Sequence, residues 1–159
     1  MTSERTTVAG AGETHGSMTM TREGMVAFFK RRQEAYEDLD AAGLAADYAD
    51  DAVIESPTAG VHTGRDAAEK AFRAVFTAFL DMTMTVDDLI IDGDRAATVL
   101  SIEGTHIGEL LGLQPTGKRF TMSAVFFYEV KNGRIVRERR IYDFTGLLLQ
   151  IGVLKAKPA

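Results

Sequence analysis

The chain predicts an α+β fold in which helices come first and an antiparallel sheet follows. Two observations carry this. Between about Thr21 and Phe79 apolar residues recur mainly at helical spacing, and beyond Phe79 strand-like runs take over. Those runs are joined by turn residues, Asp92-Gly93-Asp94 and Lys131-Asn132-Gly133, and Asn-Gly is the strongest short hairpin signal. Helices followed by a meander of strands spell α+β rather than an alternating α/β sheet.

The elements read in order as follows. Residues 1–17 are rich in Thr, Gly, Ser and Glu without periodicity and read as a flexible tail, leaving 18–159 as one domain. From Thr21, the residues Met25, Phe29, Tyr36 and Leu39 share one side of a helix, with Lys30, Arg31, Glu34 and Glu37 on the other. Gly43 is expected to end that helix, and "LAADYADDAVIESP" reads as a short helix, a break and a short strand ending at Pro57. Thr63 and Asp66 form a capping-box pattern ahead of a helix carrying Ala68, Phe72, Val75, Phe76 and Phe79. "MTMTVDDLII" and "RAATVLSIEGTHI" make one hairpin, "RFTMSAVFFYEV" and "RIVRERRIYDF" a second, and "TGLLLQIGVL" a closing helical piece.

Composition narrows the class. At 159 residues the chain has length for one domain with a core and a cavity. It has no Cys, so no disulfide framework, thiolate nucleophile or Cys-based metal site is expected. A net charge of −5 argues against a nucleic-acid partner, and no apolar run approaches a membrane span. The N-terminal stretch lacks the apolar core of a signal peptide, so a cytoplasmic location is expected. The three His, at positions 15, 62 and 106, are too scattered to suggest a metal site. In "FTMSAVFFYEV" both strand faces are substantially apolar, which predicts one face on the helices and a cavity and the other on a second copy, a homodimer through the sheet.

Three stretches, "YADDAVIESP" with "HTGRDAAEKAF", "GTHIGELLGLQPTGKRF" and "NGRIVRERRIYDFTGLLLQIG", resemble the SnoaL-like polyketide cyclases of the NTF2-like superfamily. The middle one carries the G-T-H-x-G…P-T-G-[KR] signature. The resemblance spans about Met25 to Val153. It implies a cone, a curved antiparallel sheet wrapped around helices with an apolar pocket inside, and cofactor-free ring closure by intramolecular aldol condensation. It places the acid/base Asp on Asp143. Where the family often has His-Trp on the last strand, this chain has Glu138-Arg139, which favours an anionic or strongly polar ligand over a flat polyaromatic one. Ketosteroid isomerases of the superfamily carry a catalytic Asp before the Pro of the first strand, where this chain has Ser56. Limonene epoxide hydrolases use an Arg-x-Asp that its middle strands lack.

On this reading Asp143 is a general acid/base whose alternative is a cap for the last helix. His106 is a donor that orients Asp143 or polarises a substrate oxygen, its alternative a loop His bonded to backbone. Tyr36 and Arg139 are candidate substrate contacts, with Leu110, Leu113, Met122 and Phe126 as apolar wall. Arg137 and Arg140 read as surface ion pairs with Glu103 or Glu55, and His62 as a solvated loop residue at the cone's mouth. The Gly-rich segment from Gly104 to Phe120 reads as a short lid. The partner expected is a small apolar or acidic ligand, with no metal and no cofactor. The reaction expected is proton abstraction alpha to a carbonyl, in cyclisation or isomerisation. The competing reading is a non-catalytic binding or dimerisation module.

Overall fold

A computed structural model describes residues 18–157; the expected tail, 1–17, lies outside them. The elements are α1 (Arg22–Glu37), α2 (Ala41–Ala46), β1 (Tyr48–Ser56), β2 (Gly60–Thr63), α3 (Arg65–Ala78), β3 (Thr83–Asp92), β4 (Arg95–Thr105), β5 (Arg119–Lys131), β6 (Arg134–Tyr142) and α4 (Phe144–Gln150). The strands form one curved six-stranded sheet in the order β2-β1-β6-β5-β4-β3. β1 and β6 run parallel and every other neighbouring pair is antiparallel. The expected meander of four strands is therefore present, extended by a β1–β2 hairpin that docks parallel onto β6. No helix among the described residues is long and apolar enough to cross a membrane.

α1 starts where expected, with the Thr21 hydroxyl accepting the Gly24 N–H at 3.1 Å. It does not run to Gly43. The chain leaves the helix after Glu37, and Leu39 takes a positive φ of 51°. Asp40 then caps α2 by accepting the Gly43 N–H at 2.9 Å. A Cβ on residue 43 would lie 2.2 Å from the Asp40 carboxylate, so Gly43 permits the cap rather than ending a helix. The capping box before α3 is also absent: Thr63 belongs to β2, and Gly64 is the N-cap without a side-chain bond.

The inner face of the sheet and the buried faces of the helices share one core. Met25, Phe28, Phe29 and Tyr36 of α1, Ala68, Phe72 and Phe76 of α3, and Phe120, Ala124, Phe126 and Tyr128 of β5 belong to it. Thr121, Ser123, Val125, Phe127 and Glu129 take the opposite parity of β5, as the alternation requires. Shifts of register at Val86/Asp88 and at Glu129/Val130 interrupt the ladder on both sides of β4 and β5. The curvature leaves space between the sheet and α3, and that space holds the site.

Candidate active site

A cavity of about 460 Å³ opens between α3 and the concave face of the sheet. Its walls differ in chemistry. α3 contributes Phe72, Val75 and Phe76, and β3, β4 and β5 contribute Met84, Ile102, Phe120, Met122 and Phe126. Leu110 and Leu111 close one side, and Leu147 and Phe144 of the last helix another. The β2-β1-β6 edge supplies the polar groups of the sheet wall: His62, Ser56, Arg140 and Tyr142, with Thr58 from the turn between β1 and β2.

Strand register explains why these residues meet. His62 of β2 pairs with Ile54 of β1, which pairs with Glu138 of β6. Side chains in register share a face, so His62 lies on the inner side with buried Ile54 and Glu138. Two residues further along β1 and β6 stand Ser56 and Arg140, then Tyr142 beyond. The hydroxyls of Ser56, Thr58 and Tyr142 form a closed trio: Ser56 to Thr58 at 3.1 Å, Ser56 to Tyr142 at 3.0 Å and Thr58 to Tyr142 at 2.9 Å. His62 is no solvated loop residue. Its Nε2 is shut off from bulk water and has no hydrogen-bond partner among the described residues.

Beneath this wall lies a buried ionic network. Glu138 is wholly buried and uses both oxygens: Oε1 accepts from Arg140 Nε and Oε2 from the Tyr48 hydroxyl. Arg32, also buried, donates to Asp47 at 3.0 Å and to the Leu44 carbonyl at 3.1 Å. Its guanidinium lies within 6 Å of the ring centres of Phe28, Tyr36, Tyr48 and Tyr128, a packing suited to a delocalised cation. Burial pushes the Tyr48 hydroxyl well above its ordinary range and the Glu138 carboxylate pushes the same way, so Tyr48 keeps its proton and donates it to Glu138. Burial alone would weaken the charge on Arg140, but the adjoining Glu138 carboxylate, together with Tyr48 and Tyr36, offsets it and the guanidinium stays protonated. The Arg140 guanidinium also sits 5.1 Å from the Phe72 ring centre and 5.2 Å from that of Phe126.

The residues expected at the site fall into two groups. Leu110, Met122 and Phe126 line the cavity. Asp143 does not. It is exposed, follows the end of β6, and caps α4 by accepting the Gly146 N–H at 2.8 Å. His106 is buried but off the cavity wall. Its Nδ1 accepts the Thr116 N–H at 3.3 Å, and its backbone pairs with Lys118 and Gly117, so it staples the two ends of the Gly-rich loop. Tyr36 is buried against Arg32 and Phe72 instead of the cavity. Leu113 pairs with Leu110 behind the wall that Leu110 and Leu111 form.

The arginines are exchanged relative to expectation. Arg137 bonds Glu55 at 3.1 Å, one of the two surface partners expected, while Arg139 is exposed and points outward with it. Arg140 faces the cavity. Arg139 shares strand parity with Asp143, so a pocket-facing Asp143 would carry Arg139 inward, but that parity of β6 faces outward. Asp143 stands past the last strand residue, where the chain has already turned into α4. The readable signal was Glu138-Arg140-Tyr142 at period two, on the face opposite to Arg137, Arg139 and Ile141.

The loop itself is docked, not free. The N–H groups of Ile107 and Gly108 both donate to the Ala78 carbonyl, at 3.1 and 3.0 Å. A Cβ at residue 108 would meet the Thr77 carbonyl oxygen at 2.2 Å, so the position admits only glycine.

The sequence model of the SnoaL-like polyketide cyclase family matches residues 22–151. The chain is 31% identical over 107 residues to the nogalonic acid methyl ester cyclase of Streptomyces nogalater, covering 67% of this chain and 78% of that one. Among solved structures, AclR from Streptomyces galilaeus superposes with a TM-score of 0.75 at 25% identity, covering 87% of each chain. IdmH from Streptomyces antibioticus superposes with a TM-score of 0.66 at 31% identity, covering 80% of this chain and 97% of that one.

Proposed function

Because this chain belongs to the SnoaL-like polyketide cyclase family, we propose that its cavity closes a carbon ring by cofactor-free intramolecular aldol condensation on a small ligand. The family's relative in Streptomyces nogalater is a nogalonic acid methyl ester cyclase, and this cavity offers an apolar enclosure with a polar edge, as such chemistry needs.

In this proposal His62 Nε2 removes the proton alpha to a carbonyl. The observation that carries it is the buried, unpartnered Nε2 on the wall next to three hydroxyls. As the C–H bond breaks, its electron pair moves into an enolate, and a hydroxyl of the Ser56–Thr58–Tyr142 trio turns to donate to the enolate oxygen. The enolate carbon then attacks the second carbonyl carbon. A C–C bond forms, the carbonyl π pair moves to oxygen, and the imidazolium returns the proton to that alkoxide. Each hydroxyl of the trio can rotate from a neighbour to the ligand without leaving a buried group unpaired, since two remain bonded to each other. Asp143, on which the family resemblance places the acid/base carboxylate, and His106, expected as an orienting or polarising donor, are assigned here to helix capping and loop closure.

The test is exchange of the alpha-proton of an aryl β-keto ester in deuterated buffer, followed by proton magnetic resonance. Wild-type protein is expected to accelerate the exchange and His62→Gln to remove the acceleration. Acceleration that survives His62→Gln and disappears in Asp143→Asn would reverse the assignment.

We further infer a homodimer packed through the outer face of the sheet. Ile90, Ala97 and Phe127 lie in one cross-strand row and Val99, Val125 and Ile141 in the next. Ile90, Phe127 and Ile141 are each about half exposed, at 56%, 46% and 49%. An apolar band of that kind on an otherwise charged surface suits association.

A further inference from the structure

We propose that Arg140 is the specificity-determining residue of the cavity and that it selects a ligand bearing a free carboxylate on an apolar skeleton. This rests on the reading above that the cavity binds the ligand, but not on any role for His62.

Three observations place the anion there. Among the described residues, Arg140 hydrogen-bonds Glu138 alone, through Nε. Its outer edge, Nη1 and Nη2, has no protein partner, and Nη2 is shut off from bulk water as well. A buried guanidinium is ordinarily saturated, because an unpaired donor removed from water is costly. The free Nη edge therefore matches a missing acceptor, and a carboxylate meets two parallel N–H groups with two oxygens.

The pairing with Glu138 fixes what kind of acceptor fits. Glu138 neutralises the guanidinium in the empty cavity, and its own second oxygen is taken by Tyr48. The carboxylate thus holds the Arg140 head through Nε and leaves Nη1 and Nη2 without a partner among the described residues. Phe72 and Phe126, at 5.1 and 5.2 Å from the guanidinium carbon, fix its plane from the sides. Glu138 acts on the ligand only through Arg140 and is a positioning residue.

The remaining walls set the skeleton. Opposite the polar edge the cavity is aliphatic and aromatic, formed by Val75, Phe76, Ile102, Met122 and Phe120. Tyr142, whose hydroxyl belongs to the trio, is the next inward-facing residue after Arg140 on β6, about 6.6 Å further along the backbone by ordinary strand rise. A ligand whose carboxylate sits on Arg140 thus turns a neutral oxygen, a ketone or phenol, toward Tyr142 and its neighbours on the same wall. A neutral ester in place of the acid leaves the Nη edge with a weaker acceptor.

The experiment is titration calorimetry at neutral pH with three probes: 3-hydroxy-2-naphthoic acid, its methyl ester and 2-naphthol. Wild-type protein is expected to bind the acid about tenfold or more tighter than the ester or the naphthol, as a charge-assisted pair predicts. Arg140→Gln combined with Glu138→Gln removes both buried charges together, so the fold is not left with one unpaired. That variant is expected to bind the acid no better than the ester. Arg140→Lys should keep a reduced preference, since the charge stays and the fork is lost. Ester bound as tightly as acid by wild type, no binding of the acid, or an acid preference that survives the double variant overturns the proposal. None of these readouts depends on turnover, so loss of exchange activity in His62→Gln with the acid preference intact would leave this assignment standing while the catalytic one is judged separately.

Discussion

Glu138 and Arg140 stand two residues apart on the inner face of β6 and are ion-paired, the first with no exposed side-chain surface and the second with 12%. Neither charge is solvated enough to survive alone. Replacing Glu138 by Ala strands a buried cation, and a cost of about 3–5 kcal/mol is expected in urea unfolding. The double replacement Glu138→Leu with Arg140→Met should recover most of that stability and abolish ligand discrimination. A double variant no more stable than Glu138→Ala would mean that the pair does more for the fold than cancel its own charges.

His62 and Asp143 separate chemistry from capping. His62→Gln is expected to lower turnover on any accepted substrate by roughly 10²- to 10⁴-fold, the usual size of a general-base contribution, with little change in unfolding midpoint. Asp143→Ala should do the reverse, losing about 1 kcal/mol of stability through the missing α4 cap while turnover stays near wild type. Asp143→Asn keeps a good cap and should leave both measurements unchanged. Turnover lost in Asp143→Asn would return that residue to the mechanism.

Asp81 makes part of the stability pH-dependent. Its carboxylate accepts the Thr105 N–H and hydroxyl, both at 2.7 Å. Those bonds, the hydroxyl's first, hold its proton affinity below the ordinary value of 3.8. The folded state then binds the proton less readily than the unfolded chain. The stabilisation is complete above that ordinary value and fades as pH falls through the lower folded one. Asp81→Asn should flatten the acid limb of a midpoint-against-pH curve and leave the neutral region nearly level. An unchanged acid limb would show that Thr105 does not hold the carboxylate in solution.

Phe127 tests the outer face. Light scattering at micromolar concentration is expected to give twice the chain mass for wild type and the monomer mass for Phe127→Glu. Wild type at monomer mass would remove the dimer.

Gly108 tests the docking of the loop. Gly108→Ala forces a methyl against the Thr77 carbonyl, 2.2 Å away. The loop must lift from the end of α3, and the expected result is faster amide exchange at Ile107 and residue 108. Exchange rates equal to wild type at both amides would show that the contact is not formed.

Much of the frame was legible in the residues. The hairpins at Gly93 and Asn132-Gly133, the inward parity of β5 and the buried stripe of α1 follow from local rules of turn chemistry and period. Family resemblance found the superfamily fold. Misplaced residues share a cause: each sat where a local rule handed over to a long-range one. Asp143 obeys the capping rule because β6 has already ended. Tyr36 obeys burial because it packs on Phe72 and on the buried Arg32 guanidinium, whose charge Asp47 and a ring of aromatics compensate.

What the sequence determined by itself is the order of elements and the face on which each apolar residue lies, since both arise from neighbours within a few positions. Which polar groups share a cavity was decided by tertiary structure alone. His62, Ser56 and Arg140 come together through strand registers that join residues about 80 positions apart, β1 lying parallel to β6. Register is a choice among whole-sheet pairings, settled by how the buried faces of distant strands pack, and no short stretch of chain contains it.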